Sequence, residues 1–129
     1  MKTGDVFKHS FKLSEEVYQG FIQLFQDRNI LHTDASYARQ KGYRDKVVQG
    51  NTLGGFISYF VGECLPVKNV IIYDQHIKFV KPVYIQDALQ FQAEITGIFE
   101  SVNTIEFKFH FQNQDQIKVA KGTLQVGLI

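Results

Sequence analysis

At 129 residues, 44% hydrophobic, 14% aromatic and 21% charged, the chain can bury a real core and is not a disordered polymer. Fourteen Lys and Arg against thirteen Asp and Glu leave a formal net charge of +1, which excludes a general electrostatic attraction to nucleic acid or to an anionic membrane. The only cysteine, Cys64, excludes an intrachain disulfide framework and a multi-cysteine zinc site. Met1–Asp5 has no apolar signal-peptide core, and no apolar run approaches the roughly 20 residues of a membrane span. The expectation is a soluble, cytoplasmic protein forming a single domain over 1–129.

Residues 6–12 suit a short opening strand with Phe7, His9 and Phe11 on one face. Ser14 then suits an N-cap, and Glu15 and Glu16 complement the positive end of a helix dipole. Val17, Phe21, Leu24 and Phe25 follow at helical spacing, predicting an amphipathic helix over about 15–26. Residues 27–49 are polar and loop-like, with Asp34 placed to cap a short helical turn through Ala35–Arg39. In Gly50–Cys64 the residues Leu53, Phe56, Ile57, Phe60, Val61 and Cys64 again recur at helical spacing. Gly54, Gly55 and Gly62 interrupt that pattern, and each costs a helix roughly 1 kcal/mol relative to alanine. Such a helix persists if packing rewards close backbone approach, so it is expected to be buried against a sheet.

Four strands follow, at about 69–81, 87–101, 104–113 and 116–127. Ile105, Phe107, Phe109 and Phe111 alternate with Glu106, Lys108, His110 and Gln112, and Leu89, Phe91, Ala93 and Ile95 alternate with polar residues in the same way. A period of two means one dry and one wet face, hence an antiparallel sheet. The apolar phase slips at Val119–Ala120, which suits a bulge, and Asn113–Asp115 suits a hairpin turn. The class is α+β, and one long helix wrapped by an antiparallel sheet is similar to the hotdog plan.

The densest polar cluster is Asp27-Arg28-Asn29-Ile30-Leu31-His32, just past the first helix. A carboxylate and an imidazole five residues apart can share one water or one substrate proton, the minimum for general acid–base work. Asn29 can orient either partner by its side-chain amide. Asp, Asn and His after a helix also make turns and caps, so spacing alone leaves both readings open. The second cluster, Val47-Val48-Gln49-Gly50-Asn51, opens the glycine-bearing helix. Free N–H groups there suit developing negative charge, and a glycine lets a carbonyl oxygen approach the backbone. A small residue that simply fits a helix start explains the same letters.

Together these stretches resemble a family. Asp27-Arg28-Asn29-Ile30-Leu31-His32 is similar to the Asp-x-Asn-Pro-hydrophobic-His motif of (R)-specific enoyl-CoA hydratases, the MaoC-like branch of hotdog-fold proteins. Val48-Gln49-Gly50 falls where that family has Val-His-Gly, and Phe79-Val80-Lys81-Pro82-Val83 with Asp87 resembles its Phe-x-x-Pro-Val and Gly-Asp pattern. The resemblance implies reversible addition of water across a trans-2-enoyl thioester, giving an (R)-3-hydroxyacyl product, within fatty acid metabolism. It implies that Asp27 and His32 activate the water, that the Gly50 amide polarises the thioester oxygen, and that Asn29, Gln49 and Asn51 surround the substrate. It implies no metal or redox cofactor, a substrate carried by CoA or an acyl carrier protein, and a homodimer paired edge to edge.

Four positions depart from the family pattern: Ile30 for proline, Gln49 for histidine, Gln86 for a turn glycine, and Gly55 where some members carry serine. None deletes the Asp/His pair. Arg39, Lys41, Arg44 and Lys46 form a loose basic run suited to CoA phosphates or an acidic carrier, or to a merely solvated loop. His9, His76 and His110 lack metal-ligand spacing, Cys64 reads as an inert core thiol, and Glu63 falls late enough on its helix to reach solvent. The competing functions are a hotdog thioesterase and a non-catalytic acyl-thioester-binding subunit.

Overall fold

The computed structural model describes residues 1–129. The element order is β1 (Val6–Lys12), α1 (Glu15–Phe25), α2 (Ile30–Thr33), α3 (Ala35–Gln40), α4 (Thr52–Tyr59), β2 (Val70–Phe79), β3 (Ala88–Phe99), β4 (Thr104–Gln112) and β5 (Lys118–Leu128). The five strands form one sheet in the order β1-β3-β4-β5-β2, with every neighbouring pair antiparallel. With α4 packed on its apolar face, this is the α+β hotdog arrangement.

The alternation in β3 and β4 does what its period requires. Leu89, Phe91, Ala93 and Ile95 on β3 and Ile105, Phe107, Phe109 and Phe111 on β4 are all buried, and Leu53, Ile57, Phe60 and Val61 of the central helical segment close over them. Phe60 sits at the centre, 4.8 Å from the Phe91 ring and edge-on to Phe107 at 5.8 Å. Phe11 of β1 stacks on Phe56 at 4.5 Å, which ties the edge strand to α4. Each such ring removes roughly 2–3 kcal/mol worth of apolar surface from water. Gly122 of β5 lies so close to the His76 carbonyl of β2 that any Cβ there would collide with backbone.

Ser14 caps α1 by accepting from the Val17 amide, and the helix ends one residue early because Gln26 turns left-handed at φ 60°. Asp34 caps α3 through the Tyr37 amide. The bulge is at Val119, between the Phe111–Ala120 and Gln112–Lys118 pairs, and Asn113 Oδ1 accepts from Asp115 and Ile117 to shape the hairpin.

The central helix departs from expectation in two ways. It is α-helical only over Thr52–Tyr59 and then widens into a π-helical turn, Phe60–Cys64. Its glycines are not demanded by close approach: a Cβ at Gly54 meets only the Gln75 amide at 3.7 Å, and Gly55 and Gly62 face open space. Cys64 is half-buried rather than sealed in the core, with its Sγ 3.9 Å from His9 Nδ1, and burial raises its thiol pKa above the ordinary value.

Candidate active site

The site is built where the first helix stops. Asp27 follows the left-handed Gln26, and its Oδ1 accepts from the Asn29 amide at 3.2 Å, an Asx turn that fixes the carboxylate beside the chain. Asn29 Oδ1 then accepts from the Leu31 amide at 3.0 Å and caps α2, the single turn that carries His32. Asn29 therefore positions both partners, although not as sequence predicts: its backbone holds Asp27, and its side chain serves the helix rather than the cavity.

His32 Nδ1 lies 2.6 Å from the Val47 carbonyl oxygen. A carbonyl only accepts, so Nδ1 carries a proton, and a ring with that tautomer presents the lone pair of Nε2. That nitrogen faces Asp27 Oδ2 at 3.7 Å. The gap is too long for a direct hydrogen bond and leaves two acceptors aimed at one small volume, the geometry that a bridging water with two O–H donors satisfies. The Tyr18 hydroxyl donates to the His32 carbonyl at 2.5 Å and fixes the turn from below.

The other wall is the approach to α4. Gln49 is buried, its Nε2 donates to the Asp27 carbonyl at 3.0 Å, and its Oε1 has no partner. The main-chain amides of Gln49, Gly50 and Asn51 donate to nothing within the chain. They stand at the start of α4, where orphan N–H groups and the helix dipole favour negative charge. The Phe79 ring lies against Gly50, and a Cβ on that residue would come 2.8 Å from it. The glycine thus serves packing against Phe79 as well as access to its amide.

Asp27, His32, Gln49, Gly50 and Asn51 all line one cavity of about 470 Å3. Its remaining walls include Phe79, Val80, Lys81 and Pro82, so the Phe-x-x-Pro-Val stretch reaches the site. The basic run does not. Arg39 pairs with Asp45 at 3.8 Å, Lys41 lies over the Tyr37 ring, and Arg44 stacks on Tyr84 and approaches buried Asp87 at 3.7 Å. Of residues 39–46 only Tyr43 reaches the lining, so the structure does not place Arg39, Lys41 and Arg44 as cavity residues. Asp87 is structural: its carboxylate accepts from the Tyr84 amide and the Gln114 side chain. Sequence missed Tyr18, and it placed Val47 in the second cluster without the role of its carbonyl. Val47 acts through its carbonyl, which carries no letter, and Tyr18 reads as an ordinary core position of α1.

The model of the MaoC like domain matches residues 2–115. The chain belongs to the MaoC-like domain family. It is 28% identical over 108 residues to the (R)-specific enoyl-CoA hydratase of Rhodospirillum rubrum, covering 84% of this chain and 75% of that protein. It is 26% identical over 125 residues to the mitochondrial 3-hydroxyacyl-[acyl-carrier-protein] dehydratase of Arabidopsis thaliana, covering 95% and 74%. Among solved structures, the (R)-hydratase from A. caviae involved in PHA biosynthesis superposes with a TM-score of 0.90 at 24% identity, covering 100% of this MaoC-like chain and 98% of that one. That likeness carries the fold. No helix here is long and apolar enough to cross a membrane.

Proposed function

We propose that this MaoC-like protein is a hydro-lyase that adds water to a trans-2-enoyl thioester, or removes it from the (R)-3-hydroxyacyl thioester. The observation that carries the reading is the Asp27 Oδ2–His32 Nε2 separation of 3.7 Å, with His32 Nδ1 held by Val47 so that both facing atoms are acceptors. Relatives named as hydratases and dehydratases support it.

In the hydration direction a water lies between the two acceptors. As its oxygen bonds to C3, one O–H bond breaks and Asp27 takes that proton, while the second hydrogen stays on the new hydroxyl and points at His32 Nε2. The C2–C3 π electrons shift towards C1 and leave an enolate whose oxygen meets the Gly50 amide. The Asp27–His32 pair then returns a proton to C2 and restores the thioester carbonyl. General acid–base help of this kind is worth about 10²–10⁴ in rate, and one oxyanion donor about 10²–10³. Only protons and one water change hands, so the reaction is written without a metal or redox cofactor. CoA or an acyl carrier protein presents the thioester.

Crotonyl-CoA in a spectrophotometer tests the reading. Loss of enoyl absorbance without free thiol is expected. Thiol release would instead mean thioester hydrolysis, and no change at any chain length would leave a binding protein.

A further inference from the structure

The outer face of the sheet, turned away from α4, concentrates unpaired positive charge. His110, Lys121 and Lys78 stand on one rung across β4, β5 and β2, and Lys108, Thr123 and His76 stand on the next. With strands about 4.8 Å apart and about 6.8 Å between successive residues of one face, these side chains share a patch of roughly 10 by 7 Å. His76, Lys78, Lys108, Lys121 and Thr123 line a notch there of about 430 Å3. No residue of its lining reaches the catalytic cavity.

This arrangement works against the fold. Lys78 lies directly opposite Lys121, and like charges so placed destabilise a ladder. Lysine on an edge strand guards against unwanted pairing, but that accounts only for Lys78: Lys108 and Lys121 are on the interior strands β4 and β5. No carboxylate pairs with these three lysines. Lys68 is the only lysine of the chain in an ion pair or a side-chain hydrogen bond, and Glu94, opposite Lys108 on β3, closes no ion pair with it. Asp74 pairs with His76 at 3.3 Å but does not line the notch. His110 registers the cluster: burial first, then Lys118 and Lys108, hold its pKa below the ordinary value.

We infer that this notch is a binding site for a phosphoryl anion, separate from the site of hydration and independent of that reading. Its side chains supply donors: three ammonium groups and the Thr123 hydroxyl. A phosphoryl group carries about −1.5 to −2 charge and three acceptor oxygens, so one group can take hydrogen bonds from Lys78, Lys108 and Lys121 at once. A carboxylate brings one charge and two oxygens, and leaves most of the Lys78–Lys121 repulsion standing. The ligand is therefore a phosphate or diphosphate, free or at the end of a larger molecule. Bound, it bridges β4, β5 and β2 and removes the repulsion, so occupancy stabilises the fold.

Pyrophosphate is the probe. It is expected to raise the melting temperature saturably where sodium chloride at equal ionic strength does not. It should also shift the NMR signals of the His76 ring but not those of His9, which packs against Tyr59. Lys121→Gln and Lys108→Gln should each weaken pyrophosphate binding at least about tenfold, the scale of one charge-assisted hydrogen bond, whereas Lys2→Gln, off the notch, should not. Without anion, Lys121→Gln should raise the urea midpoint; a lower midpoint would show that the lysine serves the fold and would overturn the proposal. ADP distinguishes the sources: affinity equal to that of pyrophosphate means that the anion alone is read, much tighter binding means the phosphate end of a nucleotide, and either supports the site. The His76 shift should persist with one equivalent of butyryl-CoA bound. Its loss would make the notch part of the thioester site and overturn the separate assignment. A tri-glutamate peptide that binds as tightly as pyrophosphate, or a sodium chloride effect of the same size, would overturn it as well.

Discussion

The Gln49 side-chain amide donates to the Asp27 carbonyl at 3.0 Å, so the turn that starts the central helix directly braces the loop carrying the acid–base pair. This contact joins the two motifs that the sequence shows only as separate stretches. It also suits glutamine where the family pattern has histidine, since either side chain carries an N–H that can donate to this carbonyl. Gln49→His should therefore change hydration only modestly. Gln49→Leu removes the donor along with the orphan Oε1, so stability should move little while kcat/KM falls about tenfold, the scale expected when a reacting group is misplaced. Thermal melts beside steady-state kinetics separate the two effects.

For the pair itself, Asp27→Asn keeps size and hydrogen bonding but removes the base, and hydration should fall at least ~10²-fold. His32→Ala should cost a similar factor. The proposed reaction has both act on one water, so the double variant should be barely worse than either single change. Strictly additive losses would contradict a shared water, and near-normal hydration by Asp27→Asn would remove the site assignment.

Ile30 is the first residue of α2, its amide donates no hydrogen bond, and the preceding Asn29 has ψ 139°. All three features suit proline, which fixes φ, needs no donor and wants an extended residue before it. Ile30→Pro should raise stability by about 0.4–1 kcal/mol by restricting the unfolded chain. A lower chemical-denaturation midpoint would contradict this.

His110 is held below its ordinary pKa, first by burial and then by Lys118 and Lys108. The fold favours the neutral ring, so below about pH 6.5 the unfolded chain binds more protons. This contribution is complete above that pH and is lost as pH falls towards the depressed folded value. Urea midpoints at pH 7.5 and 5.5 should differ less for His110→Gln than for the parent chain.

Strand β2 is an edge, and Ile71, Tyr73 and Phe79 along it are exposed. An open, partly apolar edge invites a second copy. The expected state is a dimer by light scattering at micromolar concentration, shifted towards monomer by Ile71→Lys. Because Phe79 also touches Gly50, dissociation should lower activity as well.

Much of this was legible in the letters, for reasons that differ by element. Strands β3 and β4 alternate so regularly that their buried faces could be named residue by residue, and Ser14 and Asp34 act as caps because a short acceptor before a helix has few other uses. Asp27 and His32 were visible as a spacing. What was not visible passes through the main chain or over distance: the Val47 carbonyl that sets the His32 proton, the Asn29 amide on Asp27, and the partners that Arg39, Lys41 and Arg44 find outside the cavity. The π turn was hidden because Phe60 and Val61 keep an apolar pattern that an α-helix fits equally well.

The bulge at Val119 has its carbonyl turned towards the amides of Val80 and Lys81, at 2.8 and 3.1 Å, two residues that wall the cavity. The wall is thus hung from a strand remote in sequence, by an atom every amino acid possesses. Position 119 can drift among apolar residues without touching catalysis, whereas losing one residue there would slide β5 along β4 and carry the wall with it. At this point the site is indifferent to spelling and strict about length.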